Sequence, residues 1–200
     1  MTLNLMLTSK NAVYLSGDFR LTYPDTGSFT DNLDTQKLIP VIRFGWGALI
    51  AYTGVANAPA PFRDMGDWVS AQMDSIPMTG SINELLKWLL VADSWLTKVS
   101  SETRLAFSVV GFIQRKPFMI LMSNFLDLDG HITQPRSHLE VLQRRPKQPE
   151  VRIVGDTKAV QPDDINQLGL LLQQCVDRQV IRETLAQVNI RASQGFCNFE

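Results

Sequence analysis

The sequence predicts an α+β fold in which two antiparallel β-sheets are stacked face to face and covered by helices on both outer sides, a four-layer αββα sandwich. Two runs of β-type segments are each followed by a pair of amphipathic helices, and polar turns rather than helices join the segments within each run. This order does not fit a doubly wound parallel sheet. Two stacked sheets with helix pairs outside them bury all the apolar faces together.

The composition is that of one ordinary globular domain spanning residues 1–200. Hydrophobic residues make up 44% of the chain and charged residues 20%, and 200 residues bury a core without help from disulfides or metals. Cys175 and Cys197 are interpreted as packing residues rather than as a disulfide. His131 and His138 have no further ligand at metal-binding spacing, so neither a metal nor a cofactor is expected.

The charge pattern predicts neither a nucleic-acid partner nor a membrane partner. The net charge is −1, and the basic residues Arg144, Arg145 and Lys147 are interpreted as a solvated loop. The longest strongly apolar segment, 85–91, is interrupted by Lys87 and is far shorter than the roughly 20 residues of a spanning helix. Because the amino terminus also lacks the pattern of a signal peptide, we expect a cytoplasmic protein.

Turn-forming residues divide each run into strands. Ser9-Lys10-Asn11 separates the first two apolar segments and Gly45-Trp46-Gly47 separates the next two. The predicted strands are 3–8, 12–17, a short 19–23, 38–44, 48–53, 105–113, 118–125, 138–142, 151–154 and a terminal 189–199. One predicted helix is introduced by Pro59 and Pro61 and a second follows Ser81. Two more helices are predicted over 163–176 and 179–188.

Apolar residues at helical spacing predict the helices. Ser81 followed by Glu84 predicts a capping box at the start of the second helix. The predicted buried faces are Phe62, Met65, Val69 and Met73 in the first helix, Leu85, Leu86, Leu89 and Leu90 in the second, and Ile165, Leu168, Leu172 and Cys175 in the third.

Thr2 is the candidate nucleophile. Removal of Met1, which a small second residue permits, would leave a terminal threonine that carries both a hydroxyl group and an α-amine. An α-amine has an ordinary pKa of about 7.7–8.0, which suits a general base near neutral pH. A hydroxyl activated by its own terminal amine is an established form of nucleophile. Met-Thr alone is a weak signal, so the interpretation depends on other residues.

Three further residues support a site at the amino terminus. Asp18 closes the second predicted strand, Lys37 opens the strand 38–44, and Gly54 ends the strand 48–53. A buried Asp–Lys pair would supply a fixed positive charge that lowers the pKa of the amine and stabilises developing negative charge on the hydroxyl oxygen. The backbone N–H of Gly54 would serve as an oxyanion-hole donor.

The first 60 or so residues resemble the proteasome β-subunit family, including the bacterial HslV-type peptidases, which are N-terminal nucleophile (Ntn) hydrolases. The resemblance rests on the Thr2-to-Asp18 spacing, the Gly-Asp-x-Arg sequence at 17–20, the strand led by Lys37 and the turn that ends in Gly54. It implies Thr2 as nucleophile, Asp18 and Lys37 as its charged support, and Gly54 as oxyanion donor. Tyr52 falls where the family lines its first specificity pocket, and Arg20 is interpreted as a structural ion-pair partner.

Later segments resemble the family less closely. Residues 107–112 look like its central strand. Asp156, in Val154-Gly155-Asp156, stands where the family usually has a serine, and there it would either support the site or hydrogen-bond the terminal ammonium and weaken it as a base. Ser193, within 190–195, corresponds to a family serine, but the family's nearby aspartate has no counterpart.

The resemblance implies a threonine-type hydrolase that cleaves peptide or other amide bonds inside a self-compartmentalising assembly of stacked homo-oligomeric rings. Its substrates would be peptides or unfolded proteins, and an ATPase unfoldase is a possible partner. Trp68, Trp88 and Trp95 would serve as core or as subunit contacts. The departures at Asp156 and Ser193, together with the possibility that Met1 is retained, support the alternative of a non-catalytic ring-forming subunit of the same fold.

Overall fold

The computed structural model describes residues 3–17, 20–22, 29–31, 37–55, 57–99, 103–127, 131–155, 160–174 and 177–195. Its strands are β1 (Leu3–Thr8), β2 (Val13–Gly17), β3 (Arg20–Thr22), β4 (Phe29–Asp31), β5 (Leu38–Arg43), β6 (Trp46–Gly54), β7 (Leu105–Ile113), β8 (Lys116–Ser123), β9 (Glu140–Arg144) and β10 (Glu150–Gly155). Its helices are α1 (Met65–Asp74), α2 (Ile82–Leu90), α3 (Asp93–Val99), α4 (Pro162–Gln173) and α5 (Arg178–Gly195). This order confirms the predicted α+β class.

The strands form antiparallel sheets. A three-stranded sheet has the order β10-β1-β2, a five-stranded sheet has the order β5-β6-β7-β8-β9, and β3 pairs with β4. Every pairing is antiparallel. The hairpins predicted at 3–17 and 38–53 are therefore confirmed.

Three apolar clusters hold these elements together. Side chains alternate between the two faces of β1. Leu3, Leu5 and Leu7 pack with α4 and α5, while Met6 packs against the five-stranded sheet. The cluster between the two larger sheets contains Met6, Leu15, Ala51, Ala106, Val110, Met119, Leu121, Phe125, Leu126 and Val154. The remaining cluster joins the opposite face of the five-stranded sheet to α1, α2 and α3.

Polar contacts fix both ends of α1. The side chain of Asp64 accepts a hydrogen bond from the backbone N–H of Asp67 at 2.9 Å and so caps the first turn. At the other end, the guanidinium group of Arg43 donates to the carbonyl oxygens of Ile76 and Met73, at 2.9 and 2.5 Å. The sequence reasoning named Pro59 and Pro61 as the start of this helix, whereas the structure begins it at Met65.

The capping box predicted at Ser81 is not formed. Ser81 is the N-cap residue of α2, but its side chain makes no capping hydrogen bond, and the backbone N–H of Glu84 donates instead to the backbone carbonyl of Ser81 at 3.0 Å. A third helix, α3, follows α2, so the helix pair predicted in the middle of the chain is a group of three.

The terminal strand predicted at 189–199 is wrong for residues 189–195, which belong to α5. Ile181, Leu185, Val188 and Ala192 are all buried in the same cluster. Their spacing of four, three and four residues places them on one helical face, and this face continues past Asn189. Residues 196–199 of the predicted strand lie outside the described residues. Within the described part of the chain, none of the helices has both the length and the apolar character needed to cross a bilayer.

Candidate functional site

Three of the predicted site residues, Thr2, Asp18 and Asp156, lie outside the described residues. Their nearest described neighbours in sequence are paired in the three-stranded sheet, since Leu3 pairs with Gly155 and Asn4 pairs with Gly17. The segments that lead to these three positions therefore come together at one end of β1.

Lys37 directly precedes β5, and only 2% of its surface is exposed. Lysine is almost never fully buried unless it is paired, because removing an ammonium group from water costs far more free energy than apolar packing returns. The next residue, Leu38, pairs with Ala51 of β6, and its side chain lies 3.9 Å from the point where a Cβ on Gly17 would stand. The residue that follows the buried lysine thus packs beside the strand end that leads to Asp18.

Gly54 ends β6 in a backbone conformation that requires glycine. Its φ angle is +104°, in the left-handed region, and a Cβ added there would lie 1.9 Å from the carbonyl oxygen of Arg104. That carbonyl accepts a hydrogen bond from the backbone N–H of Val55 at 2.9 Å. The prediction that Gly54 ends the strand is confirmed, and its oxyanion role stays a prediction.

Tyr52 is 1% exposed and belongs to the cluster beneath α1. Burial raises the pKa of its phenol well above the ordinary value of 10, and the negative charge of Asp64 acts in the same direction, while the nearby backbone N–H of Gly66 acts against both. Tyr52 is therefore neutral at physiological pH, with its ring in the core and its hydroxyl group near the start of α1.

A buried polar pair, Asn4 and Ser108, crosses between the two sheets, and the sequence reasoning missed it. Both residues have 0% exposure, and the side-chain amide of Asn4 donates to the hydroxyl of Ser108 at 3.4 Å. A Cβ on Gly17 would lie only 2.8 Å from Asn4 Oδ1, so the absence of a side chain at Gly17 lets the strand pass the amide. The available signal was a polar residue inside each of two apolar strands.

The two remaining predicted residues lie on different elements. Arg20 is in β3, where its backbone is paired with Asp31 of β4. Ser193 lies within α5, so the segment 190–195 is helical. One turn earlier, the side-chain amide of Asn189 donates to the hydroxyl of Ser16 and attaches α5 to β2.

The described residues thus bring Leu38, which follows the buried Lys37, into contact with the strand end at Gly17, and they fix the backbone of Gly54. No family model, curated protein or solved structure matches this chain.

Proposed function

We propose that this protein is a threonine-type Ntn hydrolase that cleaves peptide bonds and that its layers form the αββα sandwich of that class. The observation that carries the proposal is the burial of Lys37, which is 2% exposed at the start of β5. A buried ammonium close to Thr2 and Asp18 is the electrostatic element that activation of a terminal threonine requires, and the contact of Leu38 with the strand end at Gly17 supports placing it there.

In the proposed reaction, Met1 is first removed and the α-amine of Thr2 becomes free. The hydroxyl oxygen of Thr2 attacks the peptide carbonyl carbon while the amine takes the hydroxyl proton, and the amine then donates this proton to the departing nitrogen. Water, deprotonated by the same amine, hydrolyses the resulting ester and regenerates the threonine.

The charged residues set the properties of this amine. Lys37, paired with Asp18, would lower the pKa of the amine and so keep it unprotonated near neutral pH. The backbone N–H of Gly54 would donate to the oxyanion of the tetrahedral intermediate. A carboxylate at Asp156 would act in the opposite direction if it accepts a hydrogen bond from the ammonium form of Thr2, because that contact raises the pKa of the amine.

The proposal extends to a homo-oligomeric ring assembly in the cytoplasm that acts on peptides or unfolded proteins. An exposed apolar patch supports an assembly: Ile42, Phe44 and Met78 are 74%, 84% and 64% exposed, and the backbone N–H of Phe44 donates to the carbonyl of Met78 at 2.8 Å. Adjoining exposed hydrophobic side chains of this size are typical of protein–protein interfaces.

The test combines intact-mass measurement with an electrophilic peptide probe. A peptidyl epoxyketone reacts with both the hydroxyl and the free amine of a terminal threonine, so we expect the protein without Met1 to gain the mass of one probe. Thr2→Ala should gain none and should not cleave a fluorogenic peptide. If the native protein retains Met1, forms no adduct and still assembles, the alternative of a non-catalytic ring subunit replaces the hydrolase.

Lys37→Met tests the charge, with Lys87→Met on the exposed side of α2 as the matched control. Loss of the Lys37 ammonium should lower kcat by about a hundredfold or more and move the acidic limb of the pH–activity profile to higher pH, because the amine then protonates more readily. Lys87→Met should match the wild type. Equal turnover by Lys37→Met, or any turnover by Thr2→Ala, would remove the mechanism.

A further inference from the structure

An open cavity of about 480 Å³ lies at the opposite end of β1 from Leu3. The β1–β2 turn, the β9–β10 connection, the end of α4 and the start of α5 line it. The six residues of β1, at about 3.3 Å each, separate it from the proposed hydrolase site. A ligand bound in this cavity would therefore lie apart from the proposed hydrolase site, and its binding would not require hydrolase activity.

The floor of this cavity is apolar. Tyr14, Leu172 and Ile181, which are all buried in the cluster beneath α4 and α5, line it together with Ala12 and Pro149. Binding cavities for small molecules commonly have about 300–1,000 Å³ and mostly apolar walls, with few polar groups that fix the orientation of the ligand.

The rim of the cavity is cationic. Lys10, Lys147 and Arg178 come from three separate segments and line the same space. Within the described part of the chain, none of the three forms an ion pair. The carboxylate that lines the cavity, that of Asp177, accepts a hydrogen bond from the backbone N–H of Gln179 at 2.7 Å and so caps the first turn of α5.

This concentration of charge is unusual for the chain as a whole. The protein has 19 basic and 20 acidic residues, yet the described residues that line the cavity carry three cations against one carboxylate. Three cations at one concave site that have no ion-pair partner among the described residues repel each other, and an anion that neutralises them gains attraction without having to break an ion pair with those residues.

We propose that this cavity binds a small organic acid, with its carboxylate among Lys10, Lys147 and Arg178 and its apolar chain on Tyr14, Leu172 and Ile181. The three cations favour a ligand with an anionic group, and the apolar floor favours a ligand with a hydrocarbon chain. Inorganic phosphate would use only the rim, and an uncharged alcohol would use only the floor, so both bind more weakly than a molecule that has both parts.

The experiment measures binding of octanoate, octan-1-ol, acetate and inorganic phosphate by isothermal titration calorimetry and by saturation-transfer NMR. We expect octanoate to bind with a Kd at or below about 1 mM and the three other probes at least about tenfold more weakly. Octan-1-ol binding as tightly as octanoate, phosphate binding as tightly as octanoate, or no octanoate binding at about 10 mM would each overturn the proposal.

Charge variants locate the binding. Lys147→Met/Arg178→Met should weaken octanoate binding at least about tenfold, and the matched control Arg115→Met/Lys116→Met, which removes the same charges from the exposed β7–β8 turn, should leave it unchanged. Lys147→Met alone changes an exposed loop residue outside α5, so it should weaken binding in a folded protein even if the double variant unfolds. Unchanged binding by Lys147→Met, or equal weakening by the control, would reject this site.

Discussion

The two outer layers of the molecule differ in the size and chemistry of their cores. Under α1, α2 and α3 the five-stranded sheet carries the larger cluster, in which Trp68 lies 6.0 Å from both Trp95 and Phe107, measured between ring centroids. Under α4 and α5 the cluster on the three-stranded sheet is smaller and mainly aliphatic, with Tyr14 as its aromatic member among the described residues.

This difference indicates a division of roles. Large aromatic side chains bury the most apolar surface per residue, so the layer on the five-stranded sheet should dominate the free energy of unfolding. The layer with the smaller cluster contains β1, to which we assign the proposed chemistry, and the cavity beside α5, to which we assign ligand binding. Three changes test this comparison.

Trp68→Ala should have the largest effect. Trp68 is 2% exposed and makes an edge-to-face contact with Trp95 and a stacked contact with Phe107. Its removal leaves a cavity and breaks both contacts, so we expect the free energy of unfolding in urea to fall by about 4–5 kcal/mol. Trp88→Ala, in the same layer but only partly buried, is the control and should cost clearly less. Equal losses of unfolding free energy in the two variants would show that the contacts of Trp68 with Trp95 and Phe107 add no extra stability.

Leu168→Ala tests the layer with the smaller cluster and should lower stability less than Trp68→Ala does. Leu168 of α4 has 0% exposure, and truncating it should lower the free energy of unfolding by about 2–3 kcal/mol. Leu170→Ala on the same helix is the matched control, since Leu170 is 54% exposed and its truncation should change stability by less than about 0.5 kcal/mol. A loss at Leu168 as large as that at Trp68 would contradict the comparison.

The sequence predicted the strands of both sheets better than it predicted the helix ends. Alternation and turn residues such as Ser9-Lys10-Asn11 are local signals, and they located β1 and β2 to within a residue. The end of α5 depends on tertiary contacts instead. Val188 and Ala192 of α5 pack in one apolar cluster with residues of β1 and α4. Without those contacts, the sequence of this segment is also compatible with a strand.

The site shows the same limit. The sequence indicated that Gly54 ends a strand. It did not indicate that a Cβ at this position would collide with the carbonyl oxygen of Arg104, a residue 50 positions away in the chain. The contact between Asn4 and Ser108 likewise depends on how the two sheets stack. Sequence spacing suggested which residue types to consider, whereas their burial and partners follow from packing between distant segments.

Asp93→Asn should have the smallest effect and tests a polar link within the larger layer. Asp93 opens α3, and its carboxylate accepts a hydrogen bond from the backbone N–H of Leu139 at 2.8 Å. Burial raises the pKa of this carboxyl group above its ordinary value of 3.8, although the Leu139 N–H and the nearby His138 oppose the shift.

Because this pKa is raised in the folded protein, the contribution of Asp93 to stability is fully present below its unfolded pKa and is lost as pH rises through its folded pKa. An asparagine keeps an acceptor for the Leu139 N–H and carries no charge, so the variant should gain stability relative to the wild type as pH rises from about 3 to 6. The gain should stay below about 1 kcal/mol, since solvent screens a carboxyl group that is only partly buried. Urea unfolding across this range measures it, and an NMR titration of the Asp93 carboxyl carbon gives the pKa directly. His138→Gln removes the opposing cation and should raise that pKa further, whereas a pKa below 3.8 would reverse the sign of the prediction.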